Sequence, residues 1–249
     1  MLLDCGPGTI RALFRSGLAL PKAPTLLVSH LHMDHIHGFG EWLAHLTFPY
    51  SVIPEVYGPE GTREYVRLAA AATAKVTSVF GKPFGAPIEV PVTELGDGAG
   101  LEMAGAQVRS IIVPHAPEVT ALAHRVTFAG VTVAYSGDTR AVPELMTPLV
   151  DGADVLIHEA YSEAGLTDWT RGAAPDRVAG IFSAFERTHT RVDVAAQIAR
   201  EAGVRRLVLT HLNPGEVPER LYREIRALRI YEGATEVQKL VIARALFGG

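Results

Sequence analysis

The tightest constraint in this chain is the run Ser29-His30-Leu31-His32-Met33-Asp34-His35, where four potential metal ligands fall within six residues. The preceding Thr25-Leu26-Leu27-Val28 is a short apolar run that reads as a buried strand, and residues 36–46 carry apolar side chains at helical spacing. The cluster therefore sits on a strand-to-helix turn. There His30 and His32, two apart, point the same way, while Asp34 and His35 swing to a second point. Three imidazoles and a carboxylate in one turn repel and desolvate one another unless a cation holds them. This mixture of nitrogen and oxygen donors suits zinc first, and manganese or iron less well.

Composition bounds the rest. The chain has 249 residues and is 48% hydrophobic, enough for one large core. A formal net charge of −4 offers no global basic field for nucleic acid, which makes nucleic acid an unfavoured partner. The one cysteine, Cys5, has no partner for an internal disulfide and reads as a small buried hydrophobe, which fits a reducing compartment. No apolar run is long enough to span a bilayer and no signal peptide is visible, so the expectation is a cytoplasmic protein without membrane contact.

Three more donors follow apolar, β-like runs: His115 after Ile111-Ile112-Val113, Asp138 after residues 131–135, and His211 after Leu207-Val208-Leu209. With these in order behind it, the opening cluster resembles the signature of metallo-β-lactamase-fold hydrolases, over residues 1 to about 215. The resemblance implies an α/β four-layer αβ/βα sandwich. It puts His30, His32 and His115 on one metal and Asp34, His35 and His211 on the other. Asp138 bridges the two ions, expected to be two zinc, with manganese or iron as substitutes. The activity it implies is ester hydrolysis by a hydroxide held between the ions, with Asp34 counted in both the metal and the catalytic set. It also implies that Asp4, in Leu3-Asp4-Cys5-Gly6, orients a ligand imidazole; a plain turn-former is the other reading. Because the family has strands before this one, the same resemblance implies an N-terminally truncated sandwich with an exposed apolar edge, and a late start would also have removed any signal peptide.

The coarse pattern agrees with such a sandwich. Residues 10–15 predict a helix ended by Gly17, residues 52–57 a strand, residues 62–74 an Ala-rich packing helix, and residues 77–91 a loop with a short strand that could cover the site through Phe80 and Phe84. Residues 101–114 and 119–136 predict strands, with a tight turn at Ala129-Gly130. Helices are expected over 178–188 and 193–202, and a strand over 206–210. Strands that first mix with helices and then alternate with them point to two sheets face to face with helices outside.

His158-Glu159-Ala160 followed by His189-Thr190 resembles the paired motifs of ribonuclease Z-like members. There the glutamate orients the histidine, which protonates the leaving oxygen; Glu159 and His189 take those catalytic roles here. A helix-start carboxylate and a surface histidine are the alternative. His37, His45 and His124 receive no role, and Arg140 is a weak candidate for meeting an anionic substrate.

Residues 226–244 are similar to the last segment of acyl-CoA dehydrogenases, with Glu232 at the place of that family's base. Nothing else resembles a flavoenzyme. The chain therefore divides into a hydrolase domain, 1–216, and an atypical tail, 217–249, with a helix expected over 235–246. The sequence around His115, Asp138 and Glu159 looks most like the arylsulfatase-type branch, which implies small sulfate or phosphate esters as substrates. Ribonuclease Z-like processing, lactone hydrolysis and an inactive metal-binding fragment are the alternatives, and a homodimer is left open.

Overall fold

A computed structural model describes residues 1–17, 24–48, 50–76, 78–79, 82–83 and 88–212. Phe80, Phe84 and the tail over 217–249 lie outside the described residues. In chain order the elements are β1 (Leu2–Leu3), α1 (Thr9–Arg15), β2 (Thr25–Leu27), α2 (Met33–Ile36), α3 (Phe39–Thr47), β3 (Glu55–Gly58), α4 (Thr62–Val76), β4 (Ser78–Val79) and β5 (Lys82–Pro83). They continue with β6 (Val92–Glu94), β7 (Gly100–Met103), β8 (Ala106–Val113), β9 (Ala121–Phe128), β10 (Val131–Tyr135), α5 (Pro143–Val150), β11 (Val155–Glu159), α6 (Glu163–Trp169), α7 (Pro175–Thr188), α8 (Val192–Glu201) and β12 (Leu207–Thr210).

Two sheets face each other. The first has four parallel strands in the order β1-β2-β3-β6; the second has six, in the order β12-β11-β10-β9-β8-β7. In the second sheet β10, β11 and β12 run parallel and β7 to β10 antiparallel. The period of two along each strand splits its side chains between layers. Leu26 joins a core with Phe39, Trp42 and Leu43 under the helices, whereas Leu27 joins the core between the sheets with Leu122, Val126 and Tyr135. Leu156 likewise packs against the helix side with Met146 and Ile198, and Ile157 faces the inter-sheet core. Four layers result, as the sequence predicts.

Local chemistry explains the elements. In α3 the buried Phe39, Trp42, Leu43 and Leu46 recur at helical spacing and form one apolar stripe. In α8 the buried Val192, Ala195, Ala196, Ile198 and Ala199 do the same, with alanines small enough for close approach to the sheet. Ala129 and Gly130 have φ of 49° and 80°, the pair of positive angles that a two-residue hairpin turn requires between β9 and β10.

The structure departs from the sequence pattern in three places. The helix expected over 36–46 is two helices, broken where the Gly38 N–H donates to Cys5 O at 2.8 Å. The strand stretch over 101–114, which carries hairpin signals, turns at a place the sequence pattern did not give, Ala104-Gly105, which both have positive φ. Two helices, α5 and α6, stand where the sequence pattern predicted none; Pro143 occupies the first turn of α5 and Pro148 lies inside it. Among the described residues no helix is long and apolar enough to cross a membrane.

Candidate metal centre

All seven donors singled out in the sequence arrive at one edge of the sandwich. His30 and His32 hang from the turn between β2 and α2, and Asp34 and His35 from α2 itself, at the edge of the first sheet. His115 follows β8, Asp138 follows β10 and His211 follows β12 of the second. Strand ends deliver them because a side chain just beyond a strand is free of the pleat and can turn toward the cleft.

The donors fall into two groups, each with ligand atoms within 4.8 Å of one another: His30, His32 and His115, and Asp34, His35, Asp138 and His211. Asp138 stands between them. Its Oδ2 lies 3.9 Å from His30 Nε2, 4.0 Å from His115 Nε2 and 3.0 Å from His211 Nε2, and its Oδ1 lies 3.3 Å from His35 Nε2. Asp34 Oδ2 is 3.0 Å from His211 Nε2 and 3.4 Å from His35 Nε2. His115 Nε2 is 3.2 Å from His32 Nδ1.

Polar atoms in this set are buried without hydrogen-bond partners: His30 Nε2, His35 Nε2 and Asp138 Oδ1. Orphaned buried donors and acceptors are costly and need an explanation. His211 Nε2 bonds Asp34 Oδ2 at 3.0 Å, but the three orphaned atoms lie among imidazoles and carboxylates without bonding any of them, the arrangement expected when lone pairs aim at a shared cation. The donor set of five imidazoles and two carboxylates fits borderline divalent ions.

The electrostatics agree. Burial, reinforced by the neighbouring His35, lowers His30 to about 3, and burial also lowers His115. Both rings are therefore neutral and ready to ligate. His35 is raised and His211 is raised to about 9; burial, the largest single effect, opposes both shifts, but the surrounding carboxylates together outweigh it, Asp138 with Asp4 at His35 and Asp138 with Asp34 at His211. Burial likewise opposes the shift of Asp138, yet His35 and His211 hold its carboxyl well below the usual range. The His211 hydrogen bond and the neighbouring His35 ring depress Asp34. Without metal, these carboxylates draw protons onto imidazoles; a cation would take the protons' place.

A layer of partners orients the ligands. His115 Nδ1–H donates to Thr188 O at 2.8 Å, which turns Nε2 inward. Asp4 accepts the Ser29 N–H at 2.7 Å on Oδ1, and on Oδ2 the Ser29 hydroxyl at 2.8 Å, the Tyr135 hydroxyl at 2.6 Å and His35 Nδ1 at 2.7 Å. Asp4 and His211 both have positive φ, 56° and 55°, an uncommon backbone state for a residue with a side chain. Sequence reasoning singled out Asp4 but missed Ser29, Tyr135 and Thr188. No local motif signals them, because each meets the site through a long-range contact.

Glu159 and His189 also reach the site. His189 Nδ1 is 3.1 Å and 3.0 Å from the two Glu159 oxygens, and Glu159 Oε1 accepts the Thr139 N–H at 2.8 Å. The His189 ring centre lies 5.1 Å from that of His115 and 5.2 Å from that of His211. Burial pushes the Glu159 carboxyl up and lowers His189 to about 4. Both directions favour a neutral pair, with the proton on the buried carboxyl and the ring uncharged, and Nε2 is the ring nitrogen that Glu159 does not engage. Of the residues given no role, His124 is fully buried between the sheets, and His45 bonds Glu41 O of its own helix. Arg140 is exposed, and its backbone N–H donates to Pro114 O at 2.9 Å, tying the Asp138 loop to the His115 loop.

Comparison with known proteins gives the chain's family and fold. Residues 1–212 match the β-lactamase superfamily domain, and residues 182–247 match the C-terminal domain of acyl-CoA dehydrogenases. The chain is 33% identical over 233 residues to a ribonuclease Z of Mycobacterium sp. (strain KMS), covering 87% of this chain and 75% of that protein. It is 30% identical over 249 residues to a ribonuclease Z of Mycobacterium avium (strain 104), covering 95% and 84%. Among solved structures it resembles the human short-form tRNase Z with a TM-score of 0.64 at 22% identity, covering 85% of this chain and 81% of that one. It also resembles the metallo-β-lactamase-fold protein YhfI of Bacillus subtilis, with a TM-score of 0.64 at 22% identity, covering 93% and 82%.

Proposed function

The chain belongs to the β-lactamase superfamily and has the metallo-β-lactamase fold; from that premise we propose that it hydrolyses small anionic esters, phosphodiesters foremost, at a pair of divalent ions. His30, His32 and His115 would hold one ion, and Asp34, His35 and His211 the other, with Asp138 shared between them. Zinc suits these donors best. When bound, two such ions supply Lewis acidity toward the ester oxygens and acidify water at neutral pH.

The observation that carries the reading is the Glu159–His189 pair. It lies beside both donor groups, with the imidazole between His115 and His211. Glu159 holds the ring by Nδ1 and keeps a proton in the pair. Nε2 can then deliver a proton to a departing oxygen, and the Glu159 proton moves to Nδ1 to replace it. An alkoxide leaving a phosphodiester needs that proton.

Two features favour a small substrate. The chain between His115 and Asp138 is spent on one hairpin, β9 and β10, without a protruding arm. A cavity of about 270 Å³ adjoins His32, lined by Leu31, Glu60, Gly61, Glu118, Val119 and Thr120, with Glu118 Oε1 4.0 Å from His32 Nε2. Two carboxylates there repel a polyanion. The second reading is nucleic-acid processing. It rests on the similarity to proteins named ribonuclease Z, and it weakens the expectation against nucleic acid drawn from charge alone. We assign residues 1–216 to the hydrolase domain and 217–249 to an appended tail similar to the acyl-CoA dehydrogenase C-terminus.

The test is metal analysis of the purified chain beside a substrate panel. Two zinc per chain and turnover of bis-nitrophenyl phosphate are expected. Turnover of nitrophenyl sulfate instead would move the reading to sulfate esters. Cleavage of a transfer RNA precursor far faster than any small ester would move it to RNA, and a chain without bound metal or turnover would sink it.

A further inference from the structure

The first and second sheets each bring part of the metal centre, so something must hold them at a fixed separation. A polar contact between them lies directly under the metal turn. His124, on β9, is completely buried within the inter-sheet core, flanked on its own strand by the inward Leu122 and Val126. Ser110 is its cross-strand partner on β8 and is equally buried. Ser110 Oγ lies 2.8 Å from His124 Nδ1, and His124 Nε2 lies 3.2 Å from Val28 O of the first sheet. A carbonyl can only accept, so Nε2 carries the proton and Nδ1 accepts from the Ser110 hydroxyl. One residue on, the Leu122 N–H donates to Ser29 O at 2.9 Å. Strand β9 thus holds the two consecutive carbonyls that directly follow β2, and the next residue is His30.

An imidazole in an apolar core is costly unless both nitrogens are satisfied, and here both are. A hydrophobic residue would fill the same space without that cost, yet would leave Val28 O without this donor. The contact therefore serves something other than packing. The gaps that matter to the first donor group cross the same divide: 3.2 Å between His32 Nδ1 and His115 Nε2, and 3.9 Å between His30 Nε2 and Asp138 Oδ2. Metal–ligand distances tolerate deviations of only about 0.2 Å. A slip of the Val28-Ser29 backbone against β9 moves His30 and His32 relative to His115 and Asp138. His35 is less exposed to such a slip, because Asp4 holds it by Nδ1.

We propose that His124, oriented by Ser110, is a positioning residue that locks the Val28-Ser29 backbone to β9 and so sets the opening of the His30, His32 and His115 half-site. The inference rests on the reading of that site as a metal centre. Burial, which lowers His124 to about 4, keeps the ring neutral and able to act as donor and acceptor through the working pH range.

The test measures zinc affinity by competition with a chromogenic chelator, with the full chain and without any substrate. His124→Phe keeps the ring volume and removes both bonds. It is expected to weaken one of two zinc sites by about 10–100-fold, the range found for partners that orient ligands. The other site is expected to stay near wild type, so that dialysis leaves one ion per chain. His124→Gln can donate to Val28 O and accept from Ser110, and is expected to restore the weakened site. Ser110→Ala, which leaves the Val28 bond in place, is expected to weaken the same site to a smaller degree. Should His124→Phe fail to fold, Gln and Ala carry the test: a weakened single site in Ser110→Ala with near-normal binding in His124→Gln supports the inference, and unchanged binding in Ser110→Ala overturns it. A folded His124→Phe that binds both ions as wild type does, loses both equally, or is not rescued by Gln overturns it as well. A wild-type chain that binds no zinc overturns the metal reading and this inference with it.

Discussion

His35 Nδ1 donates to Asp4 Oδ2 at 2.7 Å, joining the turn after β1 to the metal cluster 31 residues later. The same carboxylate accepts from Ser29 and from Tyr135, so it ties both sheets to one imidazole. Its negative charge makes the far nitrogen of His35 a better ligand. Asp4→Asn keeps the shape and removes the charge. It should lower zinc affinity at the site holding His35 by about 10–100-fold, read by chelator competition. Tyr135→Phe should cost less, because two other donors to Asp4 Oδ2 remain. Wild-type affinity in Asp4→Asn would show that the carboxylate serves only the turn.

The Glu159–His189 pair makes a prediction about leaving groups. A general acid contributes about 10²–10⁴-fold where the departing oxygen is a poor leaving group, and little where it leaves unaided. His189→Ala should therefore slow an alkyl phosphodiester by about that factor and bis-nitrophenyl phosphate much less. Glu159→Gln should follow the same pattern more weakly, since the amide still holds the ring but stores no proton. Equal slowing of alkyl and nitrophenyl substrates by His189→Ala would assign the ring to metal or substrate binding instead.

The seven candidate donors were legible in the sequence because each belongs to a short local motif at or soon after a strand end. Their partners were not. The helix expected over 36–46 breaks where the Gly38 N–H turns to Cys5 O, and only glycine fits there, since a side-chain carbon would lie 2.1 Å from Gly6 O in a turn 32 residues earlier. Periodicity carries no trace of such a contact. Helix α5 was hidden by Pro143 and Pro148, which read as breakers although the first sits in the first turn, where its missing N–H costs nothing. His124 could be placed on an inward strand face from alternation alone, but its partner Val28 lies on the other sheet. The general rule visible here is that ligands are local and their supports are long-range.

Acid should destabilise the fold through two fully buried histidines. Burial lowers both His124 and His158 from 6.5 to about 4. The unfolded chain therefore binds protons that the folded chain does not. Stability is complete above pH 6.5 and falls as pH drops toward 4, by about 3 kcal/mol per histidine over that range. His158 Nε2 has no hydrogen-bond partner and lies outside the metal cluster, so it is the cleaner site to test. Urea unfolding with excess chelator at pH 7 and pH 5 should show a smaller acid loss for His158→Asn than for wild type. An identical loss in both would show that His158 protonates within the folded state.

Gly137 precedes the shared Asp138 and has φ of 56°. A side-chain carbon there would lie 2.7 Å from Leu122 O and 2.8 Å from Ser29 Cβ. These are the two residues whose backbones join the sheets. Gly137→Ala thus adds a wedge at the seam to the strain of a left-handed backbone. Gly130 separates the two effects: its φ is 80°, and nothing lies within 4 Å of the added carbon. Gly130→Ala should cost about 1 kcal/mol, the strain alone. Gly137→Ala should cost about 2–4 kcal/mol, as overpacking against rigid backbone does, and should also weaken zinc binding because Asp138 moves with it. Denaturant titrations of the two variants give the difference directly. Equal losses, with zinc affinity intact in both, would mean that the seam yields at no cost and that the close approach of Ser29 to Leu122 does not fix the site.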